Sequence, residues 1–220
     1  MPGYFREIAV RIFAKELKDS DLIYREEEEQ YAPQYVLTPT GAKANRVLIS
    51  GVLTEVENIG TGQEYYRARI ADPTGTFTVY AGQYQAEAAR FLSEAETPSF
   101  VTIVGKVTSF KTDDGNTVLS IRPEYIQKAD EEDRNIWTVE TAEKTYERII
   151  AVEAQAEAIK SGGGSESQSE SQSESQSEKQ SKSRAENENI KNAIEHYAAE
   201  FFEYRKMIVQ ALETVSAPTS

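Results

Sequence analysis

Two tyrosines and two arginines alternate along one short stretch of this 220-residue chain, and their side chains suit the binding of a nucleic acid strand. Tyr65, Arg67 and Arg69 precede the turn sequence at 72–75 (Asp-Pro-Thr-Gly), and Tyr80 follows it. Because successive side chains of a strand point to opposite faces, all four fall on one face of a predicted two-stranded ribbon. Guanidinium groups can neutralise phosphates and tyrosine rings can stack on bases, as in a single-stranded DNA groove. The alternative is that they form cross-strand pairs that stabilise the sheet without a ligand.

Four further residues downstream could complete such a groove. Lys106 points outward by strand alternation and could reach a phosphate, whereas Phe110 and Lys111 begin a loop that could close over the bound strand. Arg122 is left open, since Pro123 beside it can interrupt strand pairing. The candidate DNA-binding residues are therefore Tyr65, Arg67, Arg69, Tyr80, Lys106, Phe110, Lys111 and Arg122.

Five predicted strands and one helix must position these residues. The strands are predicted at 46–57, in both halves of 65–84, at 100–110 and at 117–126, and the helix at 85–95. This order is typical of an OB-fold, a five-stranded Greek-key barrel, with Gly51 placed where the first strand often bends. A barrel of the same kind with another use is the alternative. The predicted fold class is mainly β with α additions, with the OB-fold at 45–128.

Residues 1–44 are predicted to lead into the barrel. Apolar residues near helical spacing predict a short amphipathic helix at 5–18, and a strand through Val10 and Ile12 is the alternative. A brief apolar run at 35–37 predicts a short strand that feeds the barrel, and a flap over one end of the groove is the alternative.

The chain after the barrel divides into three predicted segments. Within residues 129–160, helical periodicity from about Trp137 predicts a helix of about twenty residues. Residues 161–184 are rich in Ser, Glu and Gln with almost nothing apolar to bury, which predicts a disordered linker. At 185–216, apolar residues recur at alternating spacings of four and three, which predicts one heptad helix of the coiled-coil type.

Both predicted helices could join subunits. The first offers Trp137, Tyr146, Ile149 and Ile150, and the second offers Tyr197, Phe201, Tyr204 and Ile208. The first helix could instead fold back on its own barrel. The heptad helix could pack on the barrel, on the first helix, on a second copy or on another subunit, because its apolar stripe should not stay in water.

Charge is unevenly distributed along the chain. The formal net charge is -13, and residues 129–220 carry 19 acidic against 10 basic side chains. Residues 45–128 carry 10 acidic and 8 basic side chains, which is not the strongly basic surface usual for nucleic-acid binding. Weak intrinsic affinity for DNA is therefore an open alternative.

Catalytic and metal chemistry have little support in the sequence. The chain has no cysteine and one histidine, His196, which excludes the usual zinc sites, and it has no Gly-rich phosphate loop. We expect a protein that is not an enzyme and needs no cofactor. With no apolar run of membrane-spanning length and no signal-peptide segment, we expect a soluble, cytoplasmic protein.

Several longer sequence pieces, spread over 5–159, resemble one family. They read RIFAKEL (11–17), YVLTPTGAKANR (35–46), GVLTEVE (51–57), RIADPTGTFTVYAGQYQ (69–85), SIRPE (120–124) and WTVETAEKT (137–145). In this order they resemble the archaeal replication protein A (RPA) associated proteins, which are OB-fold subunits of the RPA family.

The resemblance implies a subunit of a single-stranded DNA binding complex that acts in archaeal DNA replication and repair. It also implies a hetero-oligomer, in which RPA-type OB-fold subunits assemble through a helix placed after the barrel. It does not imply that this subunit itself touches DNA. A scaffold or regulatory partner of the main RPA subunit, and an OB module for RNA or tRNA, are the alternatives.

Overall fold

A closed five-stranded barrel is the centre of the molecule. The computed structural model describes residues 7–25, 33–112, 114–115, 117–161, 174–197 and 201–216. The barrel strands are β4 (Arg46–Asn58), β5 (Tyr66–Asp72), β6 (Gly75–Ala81), β7 (Ser99–Lys111) and β8 (Thr117–Lys128). They close in the order β4-β5-β6-β8-β7, with β6 and β8 parallel and the other neighbours antiparallel. The predicted OB-fold is confirmed.

Alternation of apolar and polar residues determines which face of each strand is buried. Ala68 and Ile70 of β5, like Phe77 and Val79 of β6, point into the barrel and are buried. Gly51 lies where β4 passes close to β5, and a Cβ atom there would stand 2.3 Å from the Ala71 carbonyl oxygen. The side chains between the buried ones therefore form the outer face of the ribbon.

A single helix, α2 (Ala86–Glu94), closes one end of the barrel after a 3-10 turn at Gln83–Gln85. The sequence predicted a helix at 85–95, and that prediction is confirmed. Ala88, Ala89 and Leu92 are buried in the barrel core, so one face of α2 is held by apolar packing.

The N-terminal helix is much shorter than predicted. It is α1 (Ala14–Lys18), and the prediction of a helix at 5–18 is wrong for 7–13, while 5–6 lie outside the described residues. Val10 pairs in parallel with Val47 of β4: its N–H donates to the Arg46 carbonyl, and its own carbonyl accepts from Leu48 N–H at 3.0 Å. Pairing with a distant strand thus overrides the local helical pattern.

The strand predicted at 35–37 exists, but it belongs to a second sheet. This sheet contains β1 (Leu22–Arg25), β2 (Gln34–Leu37) and β3 (Lys43–Ala44), all antiparallel. The predicted strand is confirmed, and the short strand β3 lies between it and the first barrel strand.

The helix after the barrel, α3 (Glu131–Lys160), packs on its own chain. Trp137 is buried, its Nε1–H donates to the Leu48 carbonyl at 2.9 Å, and its ring meets Phe13 edge to face. Ile149 is fully buried as well. Trp137 and Ile149 are core residues of this chain, so their prediction as subunit contacts is wrong, whereas Tyr146 and Ile150 stay exposed.

The C-terminal segment is helical in α4 (Glu174–Tyr197) and α5 (Phe201–Ser216), and 198–200 between them lie outside the described residues. Both described parts of the helix predicted at 185–216 are therefore helical, and its continuity stays a prediction. α4 begins inside the tract predicted to be a disordered linker, and that prediction is wrong for 174–184. Glu, Lys, Gln and Arg in this part are good helix formers. Residues 162–173 lie outside the described residues.

The apolar stripe of the heptad pattern packs inside the chain. Tyr204, Ile208 and Ala211 of α5 are buried in the same core as the barrel, and both C-terminal helices contact α3. The Tyr197 hydroxyl of α4 accepts from the Asp21 and Leu22 N–H groups and donates to the Leu37 carbonyl at 2.6 Å. The α3 helix is therefore the partner of this stripe, among those that the sequence left open.

A buried carboxylate joins the elements that surround the barrel. Glu16 of α1 is fully buried, and it accepts hydrogen bonds from the Phe13 N–H, from the hydroxyls of Thr40 and Thr145, and from Arg148 of α3 at 2.8 Å. Because every donor comes from outside the barrel, this network holds the N-terminal segment to α3.

Candidate nucleic-acid interface

Two tyrosine rings stack on each other at the outer face of the barrel. Tyr65 lies just before β5, Tyr80 lies on β6, and their ring centroids are 5.9 Å apart with an interplanar angle of 11°. Gly82 makes room for this pair, because a Cβ atom there would stand 2.7 Å from the Tyr65 ring. The stack is thus built into the fold and leaves ring surface open to solvent.

The stacked rings form one wall of a cleft of about 420 Å³, named the tyrosine cleft. Its lining residues are Tyr65, Tyr80, Gln85, Thr108, Ser109, Phe110, Ser120 and Arg122. Phe110, at the end of β7, is half exposed. Four of the eight predicted site residues, namely Tyr65, Tyr80, Phe110 and Arg122, therefore meet around one cleft.

Arg67 and Arg69 lie on the predicted outer face of β5 but are paired with carboxylates of β4. Arg67 Nη2 is 2.5 Å from Glu57 Oε2, and Arg69 Nε is 3.0 Å from Glu55 Oε2. The Arg67 Nε is buried and finds no acceptor within the described part of the chain. Opposite charges facing each other across neighbouring strands stabilise the sheet. The two arginines therefore present less positive charge to a ligand than the sequence suggested.

Arg69 lies apart from the tyrosine cleft. It lines a separate cleft of about 750 Å³ together with Lys15 and Lys18 of α1, Thr78 of β6 and the first residues of β8. Thr78 and Tyr80 are successive outward residues of β6, so this cleft continues the same face. Lys15 and Lys18 were not among the predicted site residues, because no local sequence pattern predicts where α1 docks.

Lys106 and Arg122 are neighbours across the β7–β8 pairing. They line a third cleft of about 390 Å³, named the Tyr84 cleft, with Tyr84, Gln85, Ala86, Glu87, Ala88, Pro123 and Glu124. Arg122 thus stays on β8 despite Pro123. Lys111 is exposed at the end of β7 and lines none of the three clefts.

The turn between β5 and β6 holds the ribbon in place. Asp72 accepts hydrogen bonds from the N–H groups of Thr74 and Gly75, from the Thr74 hydroxyl, and from Ala14 N–H of α1 at 2.7 Å. Burial raises the pKa of the Asp72 carboxyl above its usual 3.8, while these hydrogen bonds act in the opposite direction. Asp72 therefore fixes both the turn and the docking of α1.

The described residues offer neither a metal cluster nor a membrane-spanning helix. Among the side chains that the structure describes, no group of three or more His, Cys, Asp or Glu residues could hold a metal ion. None of the helices in the described segments combines the length and apolarity needed to cross a bilayer.

The fold and its outer face define the class of this molecule: an OB-fold barrel with aromatic rings and cations around surface clefts. No protein-family model matches the chain, and no curated protein matches it. The predicted membership of the archaeal RPA family therefore stays a prediction.

Several solved structures resemble about 40% of the chain. One is the second single-stranded DNA binding protein (SSBb) of Mycobacterium smegmatis, with 18% identity and a TM-score of 0.34 over 39% of this chain and 86% of that one. Another is the S. cerevisiae mitochondrial single-stranded DNA binding protein Rim1, with 21% identity and a TM-score of 0.32 over 40% and 95%. The OBody NL8, bound to hen egg-white lysozyme, has 16% identity and a TM-score of 0.34 over 40% and 97%.

Proposed function

We propose that this chain binds single-stranded DNA on the outer face of β5, β6 and β8. The observation that carries the proposal is the Tyr65–Tyr80 stack at the edge of a cleft that also contains Phe110 and Arg122. Bases of any sequence can stack on such rings, and a guanidinium beside them can neutralise the adjoining phosphate. The protein would act without catalysis, in the cytoplasm, as an RPA-type subunit in archaeal DNA replication and repair.

The preformed stack supports binding of an unpaired strand. Flat rings held in place lose little conformational freedom when a base is added, and a single-stranded base exposes its own flat face. The cleft between the stack and Phe110 gives such a base a second apolar wall. Arg122 at the cleft edge supplies positive charge, and Lys106 lies next to it across the strand pairing.

The test is fluorescence anisotropy of a labelled single-stranded DNA oligonucleotide over a salt series. The Tyr80→Ala variant should bind more weakly, because the loss of one stacked base costs about 1–3 kcal/mol, or about 5- to 150-fold in affinity. Its salt dependence should match the parent, since no charge changes. Tyr125→Ala is the matched control, because Tyr125 is an exposed tyrosine of β8 that lines neither the tyrosine cleft nor the Tyr84 cleft.

The outcome of that series decides the proposal. If the parent binds no oligonucleotide at low salt, or if Tyr80→Ala binds like the parent, the tyrosine cleft is not a DNA site. An RNA oligonucleotide of the same sequence separates a DNA protein from an RNA module, because only a site that reads the 2′-hydroxyl distinguishes the two strands.

A scaffold role in the same kind of complex is the second candidate function. Four apolar side chains on α3 are exposed and recur on one face of the helix: Ile136, Val139, Tyr146 and Ile150. Such a face suits a subunit contact. If Ile136→Ser/Ile150→Ser loses an RPA-type partner in a pull-down while DNA binding is unchanged, the two roles are separate.

A further inference from the structure

Tyr84 is an exposed aromatic residue beside the proposed groove. It lies on the 3-10 turn between β6 and α2, and 87% of its surface is exposed. Within the described part of the chain, its side chain makes no hydrogen bond and no ring contact. A single exposed ring needs no special explanation in itself. The surroundings of Tyr84 are what distinguish it.

The Tyr84 cleft adjoins the tyrosine cleft. Gln85 and Arg122 line both, so a strand that leaves the Tyr65–Tyr80 stack over Arg122 enters the Tyr84 cleft directly. A strand that occupied both clefts would therefore meet three tyrosine rings, those of Tyr65, Tyr80 and Tyr84.

The charges of the Tyr84 cleft suit a phosphate between two bases. Lys106 and Arg122 are adjacent in the β7–β8 register and both line the cleft. Of its two carboxylates, Glu124 is bound to Arg46 at 2.5 Å, which leaves Glu87 as the one acidic group of the cleft outside an ion pair in the described structure. A phosphate would meet two cations there.

We propose that Tyr84 is a third stacking platform, which lengthens the single-stranded DNA site beyond the tyrosine cleft. The inference rests on the proposed function: the phosphate of the connecting nucleotide lies between Lys106 and Arg122, and the next base stacks on Tyr84. The site then has two parts, and oligonucleotides too short to span both do not reach Tyr84.

The test measures the affinity of the full chain for single-stranded DNA oligonucleotides of increasing length. Tyr84→Ala should bind the shortest oligonucleotides like the parent, and should lose about fivefold or more for lengths that reach the second part. Tyr84→Phe keeps the ring and should behave like the parent. Tyr125→Ala, which removes another exposed tyrosine, should leave the affinity for short and for long oligonucleotides unchanged. Because Tyr84 is almost fully exposed, its substitution should leave the fold intact.

Photocrosslinking locates the contact between Tyr84 and the DNA strand. Oligonucleotides that carry 5-iododeoxyuridine at successive positions are irradiated, and the crosslinked residue is identified by mass spectrometry. We expect Tyr84 to crosslink at positions offset along the strand from those that crosslink to Tyr65 or Tyr80.

The outcomes separate the two proposals. If Tyr80→Ala weakens binding but Tyr84→Ala matches the parent at every length, the second part does not exist and the tyrosine cleft stands alone. Equal losses for Tyr84→Ala at all lengths overturn the division into two parts. If the parent binds no oligonucleotide, both proposals fail.

Discussion

Replacing Glu55 and Glu57 by glutamine should strengthen the salt-dependent part of DNA binding. In the parent, Glu57 lies 2.5 Å from the Arg67 guanidinium and Glu55 lies 3.0 Å from that of Arg69. Each arginine must therefore break its ion pair with the glutamate, or bind the glutamate and a phosphate at the same time, before it can neutralise that phosphate. The double variant keeps the shape of both glutamates and removes their charge, which frees both guanidinium groups.

The size of the effect follows from counterion release. Affinity falls as salt rises, and each additional phosphate neutralised on a single strand makes the slope of log affinity against log salt steeper by about 0.7. Two free arginines therefore make the slope steeper by at most about 1.4. On lowering salt from about 200 to about 50 mM, the variant should gain about sevenfold more affinity than the parent does. Each lost pair is about half exposed and should cost no more than about 1 kcal/mol of stability.

The assay is the same anisotropy titration, run at several salt concentrations. Glu94→Gln/Glu147→Gln is the matched control, because it removes two carboxylates from exposed ion pairs on α2 and α3, outside the three clefts. Equal slopes for the Glu55→Gln/Glu57→Gln variant and the parent would refute phosphate contact by Arg67 and Arg69. Equal steepening in the control would show that net charge alone is responsible.

Three further predictions test residues that hold the site and its surrounding elements in place. Gly82→Ala should weaken DNA binding, because the new Cβ displaces the Tyr65 ring from Tyr80; unchanged affinity in the titration would contradict this role of the glycine. Glu16→Gln should lower the free energy of unfolding by about 3 kcal/mol in urea titrations, since it leaves Arg148 largely buried without its counter-ion; a loss below about 1 kcal/mol would show that the network is dispensable. Because the pKa of Asp72 is raised in the folded state, protonated Asp72 contributes to the free energy of unfolding. This contribution is fully present below the unfolded pKa of about 3.8 and is lost as the pH rises through the folded pKa. The stability of Asp72→Asn relative to the parent should therefore increase with pH over that interval, and a constant difference would contradict the shift.

The barrel and one face of the ribbon could be predicted from the sequence because they depend on local rules. Strand alternation places Tyr80 outward and Val79 inward whatever the rest of the chain does. The pairing of Arg67 with Glu57 could not be predicted in the same way. It depends on the register of β4 against β5, which shifts between Leu53 and Glu55 at an irregularity that no local pattern marks.

The covering elements depend still more on distant contacts. Val10 adopts strand geometry because β4 offers it hydrogen-bonding partners, although its own neighbours favour a helix. The heptad pattern correctly indicated an apolar stripe that needs a partner. It could not indicate that the partner, α3, belongs to the same chain. An apolar stripe shows that one helix face needs to be buried, but not which element covers it.

The burial of Trp137 has a consequence for how this protein can be divided. A fragment that ends with β8 would lack the indole that donates to the Leu48 carbonyl and would lose the ring contact of Trp137 with Phe13. The barrel residues share one apolar core with α3 and α5. A minimal DNA-binding fragment should therefore extend past the barrel, and exchanging this barrel between proteins would require its helical cover to be exchanged with it.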